Sequence, residues 1–316
     1  MISILLASYN GEKYIAEQIQ SVLSQTVQDF KLLINDDRST DSTFAIILEY
    51  AQRCPEKIFV SKNRKNTGGA KHNFLKMIIE HKDDYIMLCD QDDVWLPDKV
   101  QKSLDEIRAM EQKHGTNTPI LVHSDLKVVD ANLNVISLSY EKMANTSFAK
   151  RSLNNLLTMN IAAGCTAMYN RALAGLIASE PDYFVIHDWW LALTASAFGR
   201  IGTIHEPTIL YRQHGNNDIG AKKVLSFGYI RYVLTHLDEM AVKVNNSYKQ
   251  AGSFLKFYHD LLSVKQRELL QAYMLIPRLS GIGRLKTVFK HKTFMHSFSR
   301  KVAQILILLR ERSVRQ

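Results

Sequence analysis

Short apolar runs alternate with stretches of helical period through the first half of the chain. Residues 2–6 are β-rich and predict a buried strand, and Ala7-Ser8-Tyr9-Asn10-Gly11 is turn chemistry. From Glu12 to Gln25, Tyr14, Ile15, Ile19, Val22 and Leu23 recur at helical spacing. Lys31–Ile34 predicts a second strand, Ser42–Gln52 a helix that Ser39 or Asp41 can cap, and Ile58–Ser61 a third strand. A helix over Ala70–Glu80 then leads into an apolar run from Tyr85. This β-α-β-α-β-α-β order predicts an α/β fold with a mostly parallel, Rossmann-like central sheet and helices on both faces. Next come a helix from Pro97 to about Gln112, a strand over Ile120–Ser124, a hairpin across Val128–Ile136 and a polar loop over 138–150. A short helix (Ser152–Leu157), a strand (Ala163–Tyr169), a helix from His187 to about Phe198 and two strands (Ile201–His205, Thr208–Tyr211) complete this part. Beyond Asn217 strands vanish and helical periodicity takes over. The expected division is an α/β domain over 1–217 and a helical appendage over 218–316, with its boundary near residues 215–222.

Composition changes this picture little; charge changes it more. With 46% hydrophobic and 22% charged residues, the 316-residue chain has ample material for a core. Cys54, Cys89 and Cys165 have no metal spacing and fit a reducing compartment, with Cys89 and Cys165 read as buried apolar fillers. The first residues lack a basic n-region and read as a strand, and no apolar stretch reaches the roughly 18 residues of a membrane span. Residues 216–316 hold 18 Lys/Arg against 6 Asp/Glu, a net of +12, which leaves −3 for residues 1–215 out of the chain's +9. So basic a region suggests a polyanion, either nucleic acid or an anionic membrane surface, against an ordinary helical appendage with a solvated basic face. Phe294–Leu309 mixes apolar and basic positions as an amphipathic helix does.

The chemistry gathers at Asp90-Gln91-Asp92-Asp93, where the run Tyr85–Cys89 ends in three carboxylates within four positions. Acids this close repel one another unless a cation or donors compensate. Oxygen-rich clusters suit Mg²⁺ or Mn²⁺ on a diphosphate, and the bland reading is a solvated turn capping the following helix. Asp36/Asp37 follow the second strand and Asp125 the fifth, at the same sheet edge. There is no G-x-G-x-x-G turn and no P-loop, which weakens hydride-transfer and NTPase readings.

Six segments in order carry a resemblance: Ile4–Asn10 (I-L-L-A-S-Y-N), Asn35–Asp41 (N-D-D-R-S-T-D), Asn66–Lys71 (N-T-G-G-A-K), Asp90–Asp93, His187–Trp190 (H-D-W-W) and Tyr211–His214 (Y-R-Q-H). Over about residues 1–215 the chain resembles a family 2 glycosyltransferase of the GT-A fold. The D-Q-D-D-V-W and H-D-W-W forms look most like bacterial rhamnosyltransferases that build cell-surface polysaccharides. The resemblance implies that Asp37 accepts from a pyrimidine base, that Ala7 and Tyr9 frame base and ribose, and that Asp90 lies near the ribose. It implies that Asp92 binds Mn²⁺ or Mg²⁺ with Asp93 alongside, that His214 closes on the diphosphate or metal, and that Lys71 is a donor contact. Asp188 matches the catalytic base, against a plain helix N-cap. Trp189 and Trp190 are sugar-stacking faces or core packing.

The reaction then expected is inverting transfer from dTDP-L-rhamnose, with a UDP-hexose as the alternative donor, to a lipid-linked glycan acceptor. The basic region would hold the enzyme, as a cytoplasmic peripheral protein, against the anionic inner face of the membrane. Absence of a Q-x-x-R-W motif points to addition of one or a few sugars rather than polymerisation. The rivals are a non-catalytic membrane-associated binding module and a nucleic-acid binder. Against the latter, Tyr229, Tyr232, Phe254 and Phe257 fall at helix-core spacing.

Overall fold

The computed structural model describes residues 1–214 and 236–310. The boundary expected near residues 215–222, and Tyr229 and Tyr232, lie outside the described residues. The described chain forms two compact units. The first comprises Met1–Tyr140, Ala162–Glu180 and, as far as it is described, Gly199–Ala221; the second comprises Glu141–Ile161, Pro181–Phe198 and the described part of Lys222–Gln316.

The first unit is built on a nine-stranded sheet. Its strands are β1 (Ile2–Ser8), β2 (Phe30–Asp36), β3 (Ile58–Lys62), β4 (Tyr85–Cys89), β5 (Val94–Trp95), β6 (Ile120–Val129), β7 (Val135–Ser137), β8 (Ala167–Asn170) and β9 (Arg200–Arg212). The order is β3-β2-β1-β4-β8-β6-β9-β5, with β7 on β6. β3, β2, β1 and β4 are parallel, as the alternation predicts. Beyond β4 the sheet is mixed: β8 runs antiparallel to β4 and β6, β9 is parallel to β6, and β5 is antiparallel to β9. β1 is buried along its whole length, because as a central strand it is covered on both faces.

Helices α1 (Ile15–Leu23), α2 (Thr43–Arg53) and α3 (Ala70–Glu80) make the first crossovers. The chain steps outward from β1 to β2 to β3, then returns past β1 to β4. Right-handed crossovers put α1 and α2 on one face and α3 on the other. The gap between the carboxyl ends of β1 and β4 is therefore a topological switch point, where open α/β sheets take their ligands.

Four local expectations are corrected. The last two strands are one continuous β9, running through Glu206-Pro207 with a register shift opposite Ser124 and Asp125. Asp125 does not end a strand. It lies buried inside β6, accepting from Leu126 N, Ser139 Oγ and Tyr140 N. Gly164–Thr166 is a 3-10 turn, so β8 begins only at Ala167. The 138–150 stretch includes a short helix, α5 (Tyr140–Met143). Helix α4 (Lys99–His114) lies between β5 and β6, and α7 (Arg171–Gly175) follows β8.

The second unit is helical: α6 (Leu153–Leu156), α8 (His187–Phe198), α9 (Leu237–Phe257), α10 (Val264–Met274), α11 (Gly281–His291) and α12 (Phe298–Leu309). Its core is aromatic. Trp190 meets Phe254 edge-on at 5.2 Å and Phe257 at 5.7 Å, and stacks on Tyr258 at 6.0 Å. Among the described residues no helix is long and apolar enough to cross a membrane.

Candidate functional site

The acidic cluster sits at the switch point. Asp90, Gln91, Asp92 and Asp93 form the turn between β4 and β5, and α4 starts only at Lys99 behind an N-cap at Asp98. The acids are therefore not a helix cap. Val94-Trp95 pairs with Ile209–Leu210 of β9, so the turn is held at both ends by the sheet. Gln91 ties it to β1: its Oε1 accepts from Tyr9 N and its Nε2 donates to Tyr9 O, both at 2.9 Å. A Cβ on Gly11 would lie 2.3 Å from that Gln91 Oε1, so a larger residue in the turn after β1 would have to push the Gln91 amide aside.

Arg212, at the end of β9, closes the turn from the other side. It is buried, and its Nε donates to Asp92 O at 2.8 Å while its backbone N donates to Asp93 Oδ1 at 3.0 Å. Its Nη1 donates to Ala131 O at 2.7 Å, its Nη2 pairs with Glu17, and its guanidinium lies 4.7 Å over the Tyr14 ring. His214 stacks on the same Tyr14 at 4.9 Å and puts Nε2 2.9 Å from Asp92 Oδ2. Asp92 and His214, 122 residues apart in sequence, are thus brought together. Arg212, Tyr14, Glu17 and Gln91 were not foreseen. The signal for Arg212 was its place beside His214 in Y-R-Q-H; nothing local marks Tyr14 or Glu17.

Asp93 is the inner member of the cluster. It is fully buried, and desolvation first, then the neighbouring Asp92 and Asp90 charges, hold its carboxyl well above the usual carboxylate range. Among the described residues no nitrogen or oxygen donor reaches its Oδ2, and the Cys165 thiol lies beside the carboxyl. Ligand atoms of Asp90, Asp93 and Cys165 lie within 4.8 Å of one another. Beneath them Lys99 is also fully buried, 4.8 Å from the Trp95 ring, and burial pulls its amine down to about 8. Burial pushes the Cys89 and Cys165 thiols up, as suits fillers rather than nucleophiles.

A second polar group lies one strand over. Asp37 is buried; Oδ1 accepts from Asn63 Nδ2 (2.8 Å) and Thr67 N (2.9 Å), and Oδ2 from Thr67 Oγ1 (2.7 Å). With Asn66 Nδ2 donating to its backbone oxygen, Asp37 anchors the N-T-G-G loop that precedes α3. Asp36 binds Ser39 N at 3.0 Å and lies 3.7 Å from Lys62 Nζ. Ala7 is buried at the end of β1, Tyr9 is exposed, and Lys71 is half-buried in the first turn of α3.

On the second unit, Asp188 is buried in the first turn of α8 and accepts from Asn160 Nδ2 at 3.1 Å. Trp189 is half-buried and donates from Nε1 to Leu156 O at 2.6 Å. Trp190 is 0% exposed, which corrects its reading as a sugar contact: its face is spent on Phe254, Phe257 and Tyr258. His187, beside Asp188, is held down to about 3 by burial.

The profile of glycosyl transferase family 2 matches residues 3–175. The chain is 28% identical over 228 residues to the dTDP-rhamnosyl transferase RfbG of Shigella flexneri, covering 68% of this chain and 74% of that protein. Two solved structures share its fold. S. aureus TarS 1-349 in complex with UDP-GlcNAc aligns with a TM-score of 0.55 and 17% identity over 92% of this chain and 88% of the other. The mannosyltransferase PcManGT from Pyrobaculum calidifontis, in complex with GDP-Man and Mn²⁺, gives 0.53 and 14% over 98% and 84%.

Proposed function

Because the chain belongs to glycosyl transferase family 2, we propose that it is an inverting glycosyltransferase moving a sugar from a nucleoside diphosphate to a hydroxyl of a lipid-linked glycan precursor. The observation that carries this is the acidic turn at the switch point, clasped by Arg212 and His214. The proposed donor is dTDP-L-rhamnose, supported by the likeness to the Shigella flexneri enzyme, with a UDP-hexose as the alternative. The acceptor would place the reaction at the inner face of the cell membrane.

The residues present fit a divalent metal. Asp92 and His214 converge, and Asp93 brings a buried oxygen that no nitrogen or oxygen donor among the described residues reaches. The carboxylate donors suit Mn²⁺ or Mg²⁺, and Asp92 and Asp93, with the His214 imidazole alongside, would hold the ion. When bound, it supplies positive charge against the leaving diphosphate. Tyr9 offers an exposed ring to the base, and Ala7 leaves room beside it. Asp37 holds the loop before α3 and is the proposed base contact; Asp90 is proposed for the ribose and Lys71 for the donor.

Asp188 is the proposed general base. It takes the proton of the acceptor hydroxyl as that oxygen bonds to the anomeric carbon. The bond from that carbon to the diphosphate oxygen breaks, and its electron pair leaves with the nucleoside diphosphate. Nucleotide release with dTDP-L-rhamnose and with UDP-hexoses, with and without Mn²⁺, tests the reading. Asp188→Asn should lower kcat about 10²-fold or more while keeping donor binding. Asp92→Ala should lose the Mn²⁺-dependent part of donor binding. If the wild type releases nucleotide from no donor, the reading fails and a binding module takes its place.

A further inference from the structure

Between Glu268 and Glu311 the chain has eight Lys/Arg and no acidic residue. The second unit displays part of this charge around large apolar side chains in water. On α11, Ile282, Lys286, Phe289 and Lys290 follow one another at i, i+4, i+7 and i+8, which is one stripe of a helix. Ile282 is 68% and Phe289 61% exposed. The stripe continues off the helix: the Phe289 ring meets Phe294 edge-on at 4.9 Å, and Lys301 Nζ lies 5.8 Å from the Phe294 ring. Phe298, one turn before Lys301 at the start of α12, is 80% exposed. Lys292 is exposed between the two helices.

Not every cation nearby belongs to this face. Arg284 is spent on backbone carbonyls of Leu279 and Pro277 at 2.9 and 3.1 Å, and Arg310 pairs with Asp238 at 2.8 Å. Lys286, Lys290, Lys292 and Lys301 remain around Ile282, Phe289 and Phe298. Single exposed apolar residues need no explanation; a contiguous set marks an interaction surface. Lysine stems can lie along apolar surface while their heads reach charge.

We propose that this face of α11 and the start of α12 docks flat on an anionic lipid bilayer. Ile282, Phe289 and Phe298 enter the boundary between headgroups and acyl chains, and the four lysines meet lipid phosphates. A nucleic acid would use the lysines but leave Ile282 and Phe298 in water. The surface gives the lipid-linked acceptor of the proposed reaction a physical location, and it is tested without any donor or acceptor.

The full-length protein is co-sedimented with vesicles of phosphatidylcholine alone and of phosphatidylcholine with phosphatidylglycerol, at low and high salt. Binding is expected only with phosphatidylglycerol and should weaken with salt. Phe289→Ser with Phe298→Ser, and separately Lys286→Glu with Lys290→Glu, should each weaken it about tenfold or more, with unchanged thermal melts. All four side chains face solvent, so their loss leaves the core intact. Equal binding to both vesicle types overturns the proposal, as does no binding, or displacement from vesicles by duplex DNA at physiological salt. Self-association in solution that the Phe289→Ser/Phe298→Ser variant abolishes, with vesicle binding unchanged, overturns it in favour of an interface between copies.

Discussion

Gly11 shows how closely two chain segments approach at the switch point. A methyl there would strike the far end of Gln91, and that amide holds both backbone groups of Tyr9. Gln91 is flexible enough to move, but only by giving up those two bonds. Gly11→Ala should therefore cost about 1–3 kcal/mol, the net worth of two hydrogen bonds plus some strain. In a Gly11→Ala/Gln91→Ala double variant the penalty should fall well short of the sum of the singles, because the same two bonds are lost once. Additive losses in urea unfolding would contradict the pairing. Arg212 is the other residue on which the turn depends. Lysine at that position keeps the charge but not the fork that reaches Asp92 O, Ala131 O and Glu17 together. Arg212→Lys should lower the affinity for Mn²⁺, read as a smaller metal-induced thermal shift, more than it lowers the melting temperature without metal. The sequence made Asp92 and His214 legible because their motifs are compact. It hid Tyr14, Glu17 and Gln91, because their partners come from across the sheet and a single sequence carries no trace of such contacts.

At the scale of elements, periodicity located α1 to α4 and β1 to β4 to within a few residues, since each has its own apolar spacing bounded by turn residues. It lost β5, because two residues have no period, and it split β9, because Glu206-Pro207 reads as a break. Proline is tolerated there where the ladder is already irregular opposite Asp125. Helix α8 shows the same limit from the other side. H-D-W-W left both tryptophans open between sugar stacking and core packing, and the second is the centre of an aromatic core with Phe254, Phe257 and Tyr258. Period alone cannot say which of two adjacent rings faces in. Trp190→Ala should cost about 3–5 kcal/mol by leaving a cavity. Trp189→Ala should cost less, since that ring is half-buried and loses one hydrogen bond, to Leu156 O. Equal losses in chemical denaturation would refute this division of labour.

For the whole molecule, charge and period change along the sequence after residue 215, but neither carries a sign that 141–161 and 181–198 belong to the second unit. Those segments join it through long-range packing, as when Val185 N donates to Gln250 Oε1 and Tyr183 N to Ser253 Oγ. The second unit also carries an acid sensitivity. Burial holds His187 down to about 3, and burial, then the Lys150 and Arg300 charges, hold His296 down to about 4. In the unfolded chain both titrate near 6.5. Above that pH both are neutral in either state and stability does not depend on them. Below it the unfolded state binds protons that the folded state refuses, so stability falls with pH until each folded value is passed. The loss should therefore begin near pH 6.5 and continue to about pH 4 for His296 and about pH 3 for His187, amounting to a few kcal/mol for each. His81, in the first unit, is lowered in the same sense by burial and leaves a residual slope. Replacing His187 and His296 with glutamine should flatten the decline in urea midpoint between pH 6.5 and 4 relative to the midpoint at pH 7. An unchanged acid slope in the double variant would place the sensitivity elsewhere.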